Sequence, residues 1–531
     1  MTRLSTRVEA VRIPVIGGIS LAADHYQPQS DERCPTIVIR TPYGRNWRHG
    51  YFGMVVGFLA RWMAAHGYHV IVQDVRGRFD SEGTFEPYMH EREDGLALLD
   101  WLRAQSWFNG VVGMWGSSYL GIVQWAIADA PEIKALMPLI TSSRLYEIVF
   151  PDGVLDFGLL LRWMAILDTG ETRRARSLLT GGGLLLEVQW QVRRAMQQPH
   201  PLESANRYSA HFADLFREWI TADADAPIWQ KVNSAIPMCD VNAPVHLVGG
   251  WFDFFLRGML QDYADLVAAG KSPHLTIGGW GHFSHLFLML NTPKTALAWF
   301  DTHLKGKPAP AAPPVRLYVM GEEKWRSFDQ YPPASKTTPF YLNSGGQLSA
   351  HAVTGAPDSF CYDPQHPTPI IGGTQFSPDA GRRSSRQLVR RADVLVYTSA
   401  PLREPLTVIG QVALDLTVSA DGGADFWARL CDLTPNGRLI TVCDGLYHLK
   451  PDQCSGSPQR ITVDLWATAY QFKTGHALVL LVSGGAHPRW LRNSGGENPL
   501  TDAVLKPVHH TLYYDLDCPN TLRLPVIPDA N

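Results

Sequence analysis

Three residue types that together could form a nucleophilic catalytic group follow short apolar segments of the sequence. The segment GVVGMWGSSYLG contains Ser117 and Ser118, VHLVGGWFD ends at Asp253, and HLTIGGWGH ends at His282. A serine hydroxyl is a weak nucleophile near neutral pH, so it needs a histidine to take its proton, and the histidine needs a carboxylate to fix its orientation. The chain order serine, acid, histidine suits a serine held at a sharp strand-to-helix turn. These segments predict acyl transfer through a covalent serine ester.

Ser118 is the better nucleophile candidate of the two serines. If Ser118 lies at the apex of the turn, the residue two positions earlier is Gly116, and a tight turn requires a small residue there. If Ser117 lies at the apex, that position is Trp115, whose side chain should clash. The second glycine of the usual motif is displaced by one residue, to Gly121. An ordinary glycine-flanked β–α turn therefore stays open as the alternative.

The acid and the base also have alternatives. His285 follows His282 by three residues and is a second candidate base, and the two histidines could supply half of a metal site. Asp253 could act only as a loop-capping aspartate. No third cluster of ligand-type residues is apparent in the sequence, so we expect neither a metal nor an organic cofactor.

The elements that must position these residues alternate between strand and helix in the first third of the chain. Short apolar strands that alternate with helices favour a mainly parallel sheet covered on both faces. From about Ser143 to Asp240 only helices are predicted, in DGVLDFGLLLRWMAIL, TRRARSLL, LLLEVQWQVRRAMQQ and HFADLFREWI. We therefore expect residues 1–143 and 241–307 to form one α/β domain, with residues 144–240 as a helical cap inserted over one end of its sheet.

A proline- and alanine-rich segment, Pro308 to Pro314, is the strongest candidate for a domain boundary. Beyond it, helical periodicity nearly vanishes, and short strands are separated by turns. This pattern is typical of an all-β sandwich or jelly roll, which we expect over residues 308–531.

Composition limits the partners and the compartment. The 531 residues are 45% hydrophobic and 18% charged, which is typical of a packed globular protein. A net charge of −3 gives no electrostatic support for binding nucleic acid or a membrane surface. We find no signal peptide and no apolar stretch long enough for a membrane span. Seven scattered cysteines favour reduced thiols, so a cytoplasmic location is expected, and the sequence is compatible with a homodimer.

Several segments have a family-specific pattern, namely IRTPYGR, VQDVRGRFDSEG, GMWGSSYLG, GGWFD, GGWGH, YVMGEEKWR, CYDPQHPTPIIGG, DVLVYTSAPL and HPRWLRN. Through them the full chain resembles the cocaine esterase-like CocE/NonD hydrolases, relatives of X-Pro dipeptidyl peptidases and α-amino acid ester hydrolases. The resemblance implies an α/β-hydrolase fold with an inserted helical cap and a C-terminal jelly roll. It places the nucleophile at Ser118, the acid at Asp253 and the base at His282. It also implies that the Tyr43 phenol and the Tyr119 backbone N–H stabilise the oxyanion.

The charged segment DVRGRFDSEG has a structural interpretation. We expect Arg76 to pair with carboxylates and brace the loop beneath the site, without a catalytic role.

The substrate is predicted only as a class. Candidates for the lining of an acyl pocket share an aromatic side chain near the motifs or in the cap: Trp115, Phe157, Trp163, Phe254 and Phe255. They favour an ester with a neutral or aromatic acyl group. Members of the family that bind a free amine use carboxylates, for which the cap offers Glu147, Asp152 and Asp156.

Four functions stay open. A carboxylesterase is favoured, and an X-Pro-type dipeptidyl aminopeptidase or amidase and an acyltransferase use the same three groups. A non-catalytic binding protein built on the jelly roll is the fourth, and the complete serine, histidine and aspartate set argues against it.

Overall fold

The structure is a computed structural model of the chain. It describes residues 6–30, 32–172, 190, 192, 194–196, 201–207, 212–233, 236–284, 288, 290–450, 453–454 and 456–528. Two sheets organise this part of the chain.

The first sheet has the strand order β1-β2-β4-β3-β5-β6-β7-β8-β9-β10. Its strands are β1 (Arg7–Val15), β2 (Ile19–Gln27), β3 (Thr36–Thr41), β4 (His69–Asp74), β5 (Val112–Ser117), β6 (Ile133–Leu139), β7 (His246–Phe252), β8 (His274–Gly281), β9 (Val315–Val319) and β10 (Lys324–Phe328). The pairs from β4 through β9 are parallel, whereas β1, β2 and β10 join antiparallel at the edges. In parallel strands the carboxyl ends meet at one edge of the sheet, so the loops after β5, β7 and β8 lie together.

Helices connect these strands and cover the sheet. They are α1 (Tyr51–Ala65), α2 (Glu91–Arg103) and α3 (Tyr119–Trp125), together with two that follow β7 and β8, which we call α8 (Leu256–Ala268) and α9 (Pro293–Lys305). Every residue of β3, β4 and β5 is buried. Burial on both faces explains why the centres of β3 and β4, residues 37–39 and 70–72, are continuous apolar runs that do not alternate with polar residues.

Between β6 and β7 the described chain is helical, as the sequence predicted. This segment, which we call the inserted helices, contains α4 (Leu145–Val149), α5 (Phe157–Thr172), α6 (Ala213–Thr221) and α7 (Pro227–Val232). The helix predicted over residues 172–179 lies outside the described residues except for Thr172, and of the one predicted over 184–198 the structure describes residues 190, 192 and 194–196, which are helical. Short 3-10 turns occur at Trp47–His49, Pro151–Gly153, Pro201–Arg207, Met238–Asp240, His282–Ser284 and Leu388–Arg390.

The C-terminal part of the chain is rich in β-structure. Its second sheet contains β11 (Lys336–Asn343), β12 (Gln347–Ser349), β13 (Gly355–Tyr362), β14 (Val394–Ser399), β15 (Leu406–Ala420), β16 (Ala424–Leu433), β17 (Leu439–Leu449), β18 (Gln459–Phe472), β19 (Ala477–Ser483), β20 (Val508–Tyr514) and β21 (Thr521–Val526). The order is β13-β20-β15-β21-β11-β12-β14-β19-β16-β17, with β18 paired to β15. All of these pairs are antiparallel except β12 with β14.

The proline- and alanine-rich segment does not separate the two sheets. Directly after it, β9 pairs in parallel with β8, and β10 pairs with β9, so both complete the first sheet. The backbone N–H of Met320 donates to Ala469 (2.9 Å), and that of Gln471 donates to Met320 (2.8 Å), which ties this edge to β18. By hydrogen bonding, the change from one sheet to the other occurs after Phe328, and the domain boundary at residue 308 stays a prediction.

Within the part of the chain described, no helix is both long and apolar enough to cross a lipid bilayer.

Candidate active site

Ser118 lies in a strained turn between β5 and α3. Its φ of 58° and ψ of −125° are unusual for a residue with a side chain, and such strain costs about 1–3 kcal/mol. The turn is close enough that a Cβ on Gly116 would lie 2.4 Å from the Leu120 Cβ. Ser117, in the last position of β5, is only 1% exposed, whereas Ser118 is partly exposed. The close approach at Gly116 is the steric reason why Ser118 takes the apex.

The three residues picked out by spacing form one hydrogen-bonded group. Asp253 follows β7 and His282 follows β8, so both reach the edge of the sheet where Ser118 lies. His282 Nε2 lies 3.1 Å from Ser118 Oγ, and His282 Nδ1 lies 2.9 Å from Asp253 Oδ2. The second oxygen, Asp253 Oδ1, accepts the Phe255 N–H at 2.8 Å. This geometry allows proton transfer from the serine hydroxyl to an imidazole whose tautomer the carboxylate fixes.

Aromatic rings enclose the imidazole. The His282 ring lies 4.4 Å from that of Phe254, 5.5 Å from that of Phe255 and 5.3 Å from that of Phe376, measured between ring centroids. Asp253 is fully buried, and His282 is 5% exposed. Water is therefore largely excluded from the carboxylate–imidazole contact, which strengthens it relative to the same pair in solvent.

The phenol of Tyr43 also reaches this group from the loop after β3. Its oxygen accepts the Trp163 indole N–H at 3.1 Å, and the phenol has a second contact with the Ser118 hydroxyl. Burial raises the pKa of Tyr43 to about 12, although these two contacts and the Arg78 guanidinium oppose the rise. The phenol thus keeps its proton and remains a hydrogen-bond donor beside Ser118.

Tyr119 can offer the site only its backbone. Its phenol points away from Ser118 and donates to Glu91 Oε1 at 2.5 Å, while it accepts the Tyr88 N–H at 3.1 Å. Glu91 in turn pairs with Arg40 at 2.9 Å; burial raises the pKa of Glu91, and Arg40 opposes that rise. Because Tyr119 is the first residue of α3, its N–H has no acceptor within the helix and is directed outward from the helix N-terminus.

The predicted pocket residues divide into three groups. Phe254 and Phe255 contact the His282 imidazole, and Trp163 contacts the Tyr43 phenol. The ring of Phe157, 2% exposed, lies 6.3 Å from His487 of the C-terminal part. The prediction for Trp115 is wrong. It lies in β5, a central strand covered on both faces, and has no exposed surface with which to line a pocket.

Phe376 was missed by the sequence analysis. It comes from the C-terminal part of the chain, far from the motifs, and packs against Phe254 (5.5 Å), Phe283 (4.9 Å) and His282. Its loop is closed by reciprocal backbone hydrogen bonds of 2.9 Å between Gly373 and Gly381. Only the pair of glycines before it hinted at a tight loop, and nothing in the sequence indicated where that loop docks.

The carboxylates predicted for amine recognition have other partners. Glu147 pairs with Arg144 at 3.2 Å. Asp152 pairs with Arg257 at 2.5 Å. Asp156, only 1% exposed, accepts the backbone N–H of Leu159 at 2.8 Å, and burial raises its pKa to about 7.

Other polar groups near the site have structural partners. As expected, Arg76 pairs with a carboxylate, that of Asp94, at 2.5 Å. The alternative base, His285, lies outside the described residues, so the metal pair that it would form with His282 also stays untested.

A separate group of potential metal ligands consists of His49, Asp74 and Asp80. Within the described chain, their ligand-type atoms all lie within 4.8 Å of one another. The guanidinium of Arg45 already pairs with Asp74 and with Asp80 (2.9 Å), as well as with Asp24 (3.0 Å). Because a cation of the chain occupies the centre of these carboxylates, the donor set does not favour a metal ion.

A parallel sheet with serine, aspartate and histidine at three strand ends defines a protein of the α/β-hydrolase type, with a C-terminal β-rich part. The model of the X-Pro dipeptidyl-peptidase (S15 family) matches residues 17–284, and that of the X-Pro dipeptidyl-peptidase C-terminal non-catalytic domain matches residues 309–523. The chain belongs to the S15 family of hydrolases, and the predicted relationship to the CocE/NonD hydrolases is confirmed.

Individual relatives agree with this assignment. The cocaine esterase of Rhodococcus sp. (strain MB1 Bresler) is 29% identical over 91% of this chain and 92% of its own length. A putative serine esterase of Mycobacterium bovis is 25% identical over 90% of each chain. Among solved structures, an aminopeptidase from a marine sediment archaeon (Thaumarchaeota archaeon) has a TM-score of 0.82 at 21% identity, covering 99% of this chain and 98% of its own. An α-amino acid ester hydrolase has a TM-score of 0.80 at 20% identity, covering 98% and 97%. At these identities the structural matches show the shared fold.

Proposed function

We propose that this protein is a serine carboxylesterase that works through a covalent acyl-enzyme. Ser118 is the nucleophile, His282 the general base and Asp253 the carboxylate that orients the imidazole. The observation that carries the proposal is the continuous contact from Ser118 Oγ to His282 (3.1 Å) and from His282 to Asp253 (2.9 Å), at a strained and partly exposed turn. In this proposal the inserted helices act as the cap of the site, the C-terminal part is a jelly roll, and residues 1–143 with 241–307 form the hydrolase domain, whose sheet is extended by β9 and β10 of the C-terminal part.

The reaction has two halves. In the first, Ser118 Oγ attacks the ester carbonyl while His282 Nε2 takes the hydroxyl proton, and the same nitrogen returns this proton to the leaving alcohol. In the second, His282 takes a proton from water, the resulting hydroxide attacks the acyl-enzyme carbonyl, and the proton passes to Ser118 Oγ as the acid leaves. Asp253 stays ionised throughout and stabilises the imidazolium formed in each half.

Two donors are suited to the negative charge that develops on the carbonyl oxygen. One is the Tyr43 phenol beside Ser118, which keeps its proton because burial raises its pKa to about 12. The other is the backbone N–H of Tyr119 at the start of α3. Fixed donors of this kind contribute more in the transition state than in the ground state, because the oxygen carries a full charge only there.

An ester with a neutral or aromatic acyl group is the substrate class that fits best. The groups around the imidazole are the apolar rings of Phe254, Phe255 and Phe376. An aminopeptidase needs a carboxylate free to bind the substrate amine. The three candidates are engaged elsewhere or enclosed: Glu147 and Asp152 by arginines, and Asp156 by burial. The names of the relatives that match at sequence level, a cocaine esterase and a putative serine esterase, support the same choice.

Hydrolysis of a series of p-nitrophenyl esters tests this proposal, with alanine p-nitroanilide as the amide comparison. The matched control for Ser118→Ala is Ser117→Ala, which makes the same chemical change at the buried neighbour. We expect turnover and labelling by a fluorophosphonate to be lost in Ser118→Ala and retained in Ser117→Ala. The reverse pattern would show that the nucleophile is misassigned.

The other functions on the same three groups give different results in this assay. Preferential cleavage of the anilide, with affinity that depends on a free amine, would indicate an aminopeptidase. Formation of a new ester when an alcohol is added as a competing acceptor, at the expense of free acid, would indicate an acyltransferase.

A further inference from the structure

Five side chains around Ser118 form a chain of contacts, hydrogen-bonded from Trp163 to Tyr43 and from Ser118 through His282 to Asp253, with the Tyr43 phenol next to the Ser118 hydroxyl. Trp163 Nε1 contacts the Tyr43 oxygen (3.1 Å), Tyr43 contacts Ser118, Ser118 contacts His282 (3.1 Å), and His282 contacts Asp253 (2.9 Å). The two middle hydroxyls can each donate or accept, so their own chemistry does not decide which way the protons point.

The two ends of the chain remove this ambiguity. An indole N–H can only donate, and an ionised carboxylate can only accept. Asp253 holds the His282 hydrogen on Nδ1, which leaves Nε2 as the acceptor for the Ser118 hydrogen, and Trp163 donates to the Tyr43 oxygen from the other end. The phenol oxygen of Tyr43 accepts from Trp163, so its own hydrogen is directed to the Ser118 side, and the Ser118 hydrogen is directed to His282 Nε2. Hydrogen bonds aligned in this way also polarise one another.

We propose that Trp163 is a positioning residue that orients the phenol hydrogen of Tyr43 toward the place where the oxyanion forms. The inference rests on the proposed function, in which Tyr43 is an oxyanion donor. Without the indole N–H, the lone pair that it occupies is free, so the phenol oxygen competes better with His282 Nε2 for the Ser118 hydrogen, and that arrangement turns the phenol hydrogen away from the substrate. Trp163 thus disfavours an unproductive arrangement before the substrate binds.

The indole is held firmly enough for this role. Its ring stacks on Tyr88 (5.6 Å between centroids, 12° between planes) and on Trp219 (5.9 Å, 24°). Arg78 fixes the spacing between the loop that carries Tyr43 and the helix α5. Its guanidinium, 1% exposed, donates to the Pro42 carbonyl beside Tyr43 and to the Leu167 carbonyl on α5, each at 3.0 Å. Leu167 lies one helical turn beyond Trp163, so the guanidinium ties the phenol loop directly to the helix that carries the indole.

Trp163→Phe removes the N–H and keeps an aromatic ring in the stack. Trp219→Phe is the matched control, because Trp219 belongs to the same stack, is 1% exposed, and has a buried indole nitrogen that contacts no acceptor among the described residues. We expect Trp163→Phe to lower kcat on p-nitrophenyl acetate about 3- to 10-fold with KM little changed, since the loss is that of one hydrogen bond between neutral groups. Trp219→Phe should leave kcat unchanged.

A double-mutant cycle with Tyr43→Phe separates positioning from packing. In the Tyr43→Phe background there is no phenol to orient, so Trp163→Phe should have no further effect on kcat. Equal losses in both backgrounds would overturn the inference and leave Trp163 as a packing residue. If Trp163→Phe does not fold, replacement by 3-benzothienylalanine, which keeps the bicyclic ring and lacks the N–H, gives the same comparison.

A spectroscopic measurement does not depend on turnover. The indole ¹H–¹⁵N resonance of Trp163 should shift upfield in Tyr43→Phe, because its acceptor is lost, while that of Trp219 stays in place. An unchanged Trp163 resonance would show that the hydrogen bond is absent and would refute the inference even if Ser118 reacts with a fluorophosphonate as proposed. If the wild-type protein neither turns over esters nor labels at Ser118, the proposed function fails first, and the positioning role fails with it.

Discussion

Replacing Tyr43 by phenylalanine removes the proposed oxyanion donor and changes little else. The ring stays, and with it the edge-on contact with Phe52 at 5.0 Å, whereas the hydroxyl beside Ser118 is lost. One of the two proposed donors is thereby removed, and the Tyr119 N–H remains. Loss of one such donor from a preorganised, water-poor site costs about 2.7–4 kcal/mol, or about 10²- to 10³-fold in kcat. KM should change little, because the carbonyl oxygen of the bound ester carries no full charge.

The same substitution has a second consequence, for stability. The Trp163 indole N–H loses its acceptor in a place where the ring is 8% exposed. A buried donor left without a partner costs about 1–3 kcal/mol of unfolding free energy. We therefore expect the variant to unfold at lower urea concentration, although it removes only one oxygen atom.

The assay is stopped-flow hydrolysis of p-nitrophenyl acetate, which separates acylation from deacylation, combined with urea denaturation of the same preparations. Both half-reactions should slow, because each passes through an oxyanion. The assignment of Tyr43 as an oxyanion donor would be refuted if kcat stayed within about threefold of the wild-type value. Such a loss is smaller than that expected from removing one hydrogen bond between neutral groups. A normal kcat with reduced stability would reduce its role to packing.

Three further predictions follow from single groups. Asp253→Asn should lower kcat by about 10⁴-fold, because the amide N–H favours the wrong imidazole tautomer. The amide oxygen can still accept the Phe255 N–H, so the loop should keep this hydrogen bond. A kcat near wild type would exclude Asp253 as the orienting acid. Gly116→Ala should prevent the turn from forming, since its Cβ would lie 2.4 Å from that of Leu120, and a normally folded, active variant would contradict this geometry. Burial raises the pKa of Asp156 to about 7 in the folded protein, whereas in the unfolded chain the carboxyl loses its proton near pH 4. As the pH rises from about 4 to 7, ionisation therefore favours the unfolded chain, and the free energy of unfolding falls. Urea titrations should show that Asp156→Asn loses less stability than the wild type over that interval, and parallel pH profiles would show that the carboxyl is not perturbed.

The residues at the strand ends, Ser118, Asp253 and His282, could be predicted from local sequence patterns and strand direction. The glycine two residues before Ser118 was decisive because the turn there leaves no space for a Cβ, a constraint that acts within five residues of sequence. Asp253 and His282 could be paired with Ser118 because parallel strands bring their carboxyl ends to one edge. In each case the physics that fixes the position is local or follows from strand direction alone.

The features that the sequence did not predict depend on contacts between distant parts of the chain. Trp115 directly precedes Gly116, yet whether its ring faces core or pocket depends on which layers cover β5, and no local signal gives that. Phe376 reaches His282 through the docking of a distant loop. The pairing of β9 with β8 could likewise not be read from the sequence, because β9 follows a proline-rich segment that resembles a linker. Contacts between distant parts of the chain are selected by packing, which single-sequence patterns do not encode.

The position of β9 and β10 bears on how this protein could be divided or fused. Cutting the gene at the proline-rich segment would leave β8, the strand that directly precedes His282, as a free sheet edge with unpaired backbone N–H and C=O groups. Such edges pair with other chains and promote aggregation. The N-terminal half expressed alone should therefore end after Phe328, and an exchange of C-terminal domains between relatives should carry the same junction. Even at that junction the half would lack Phe376, so any activity it retained would come from an imidazole open to water on one side.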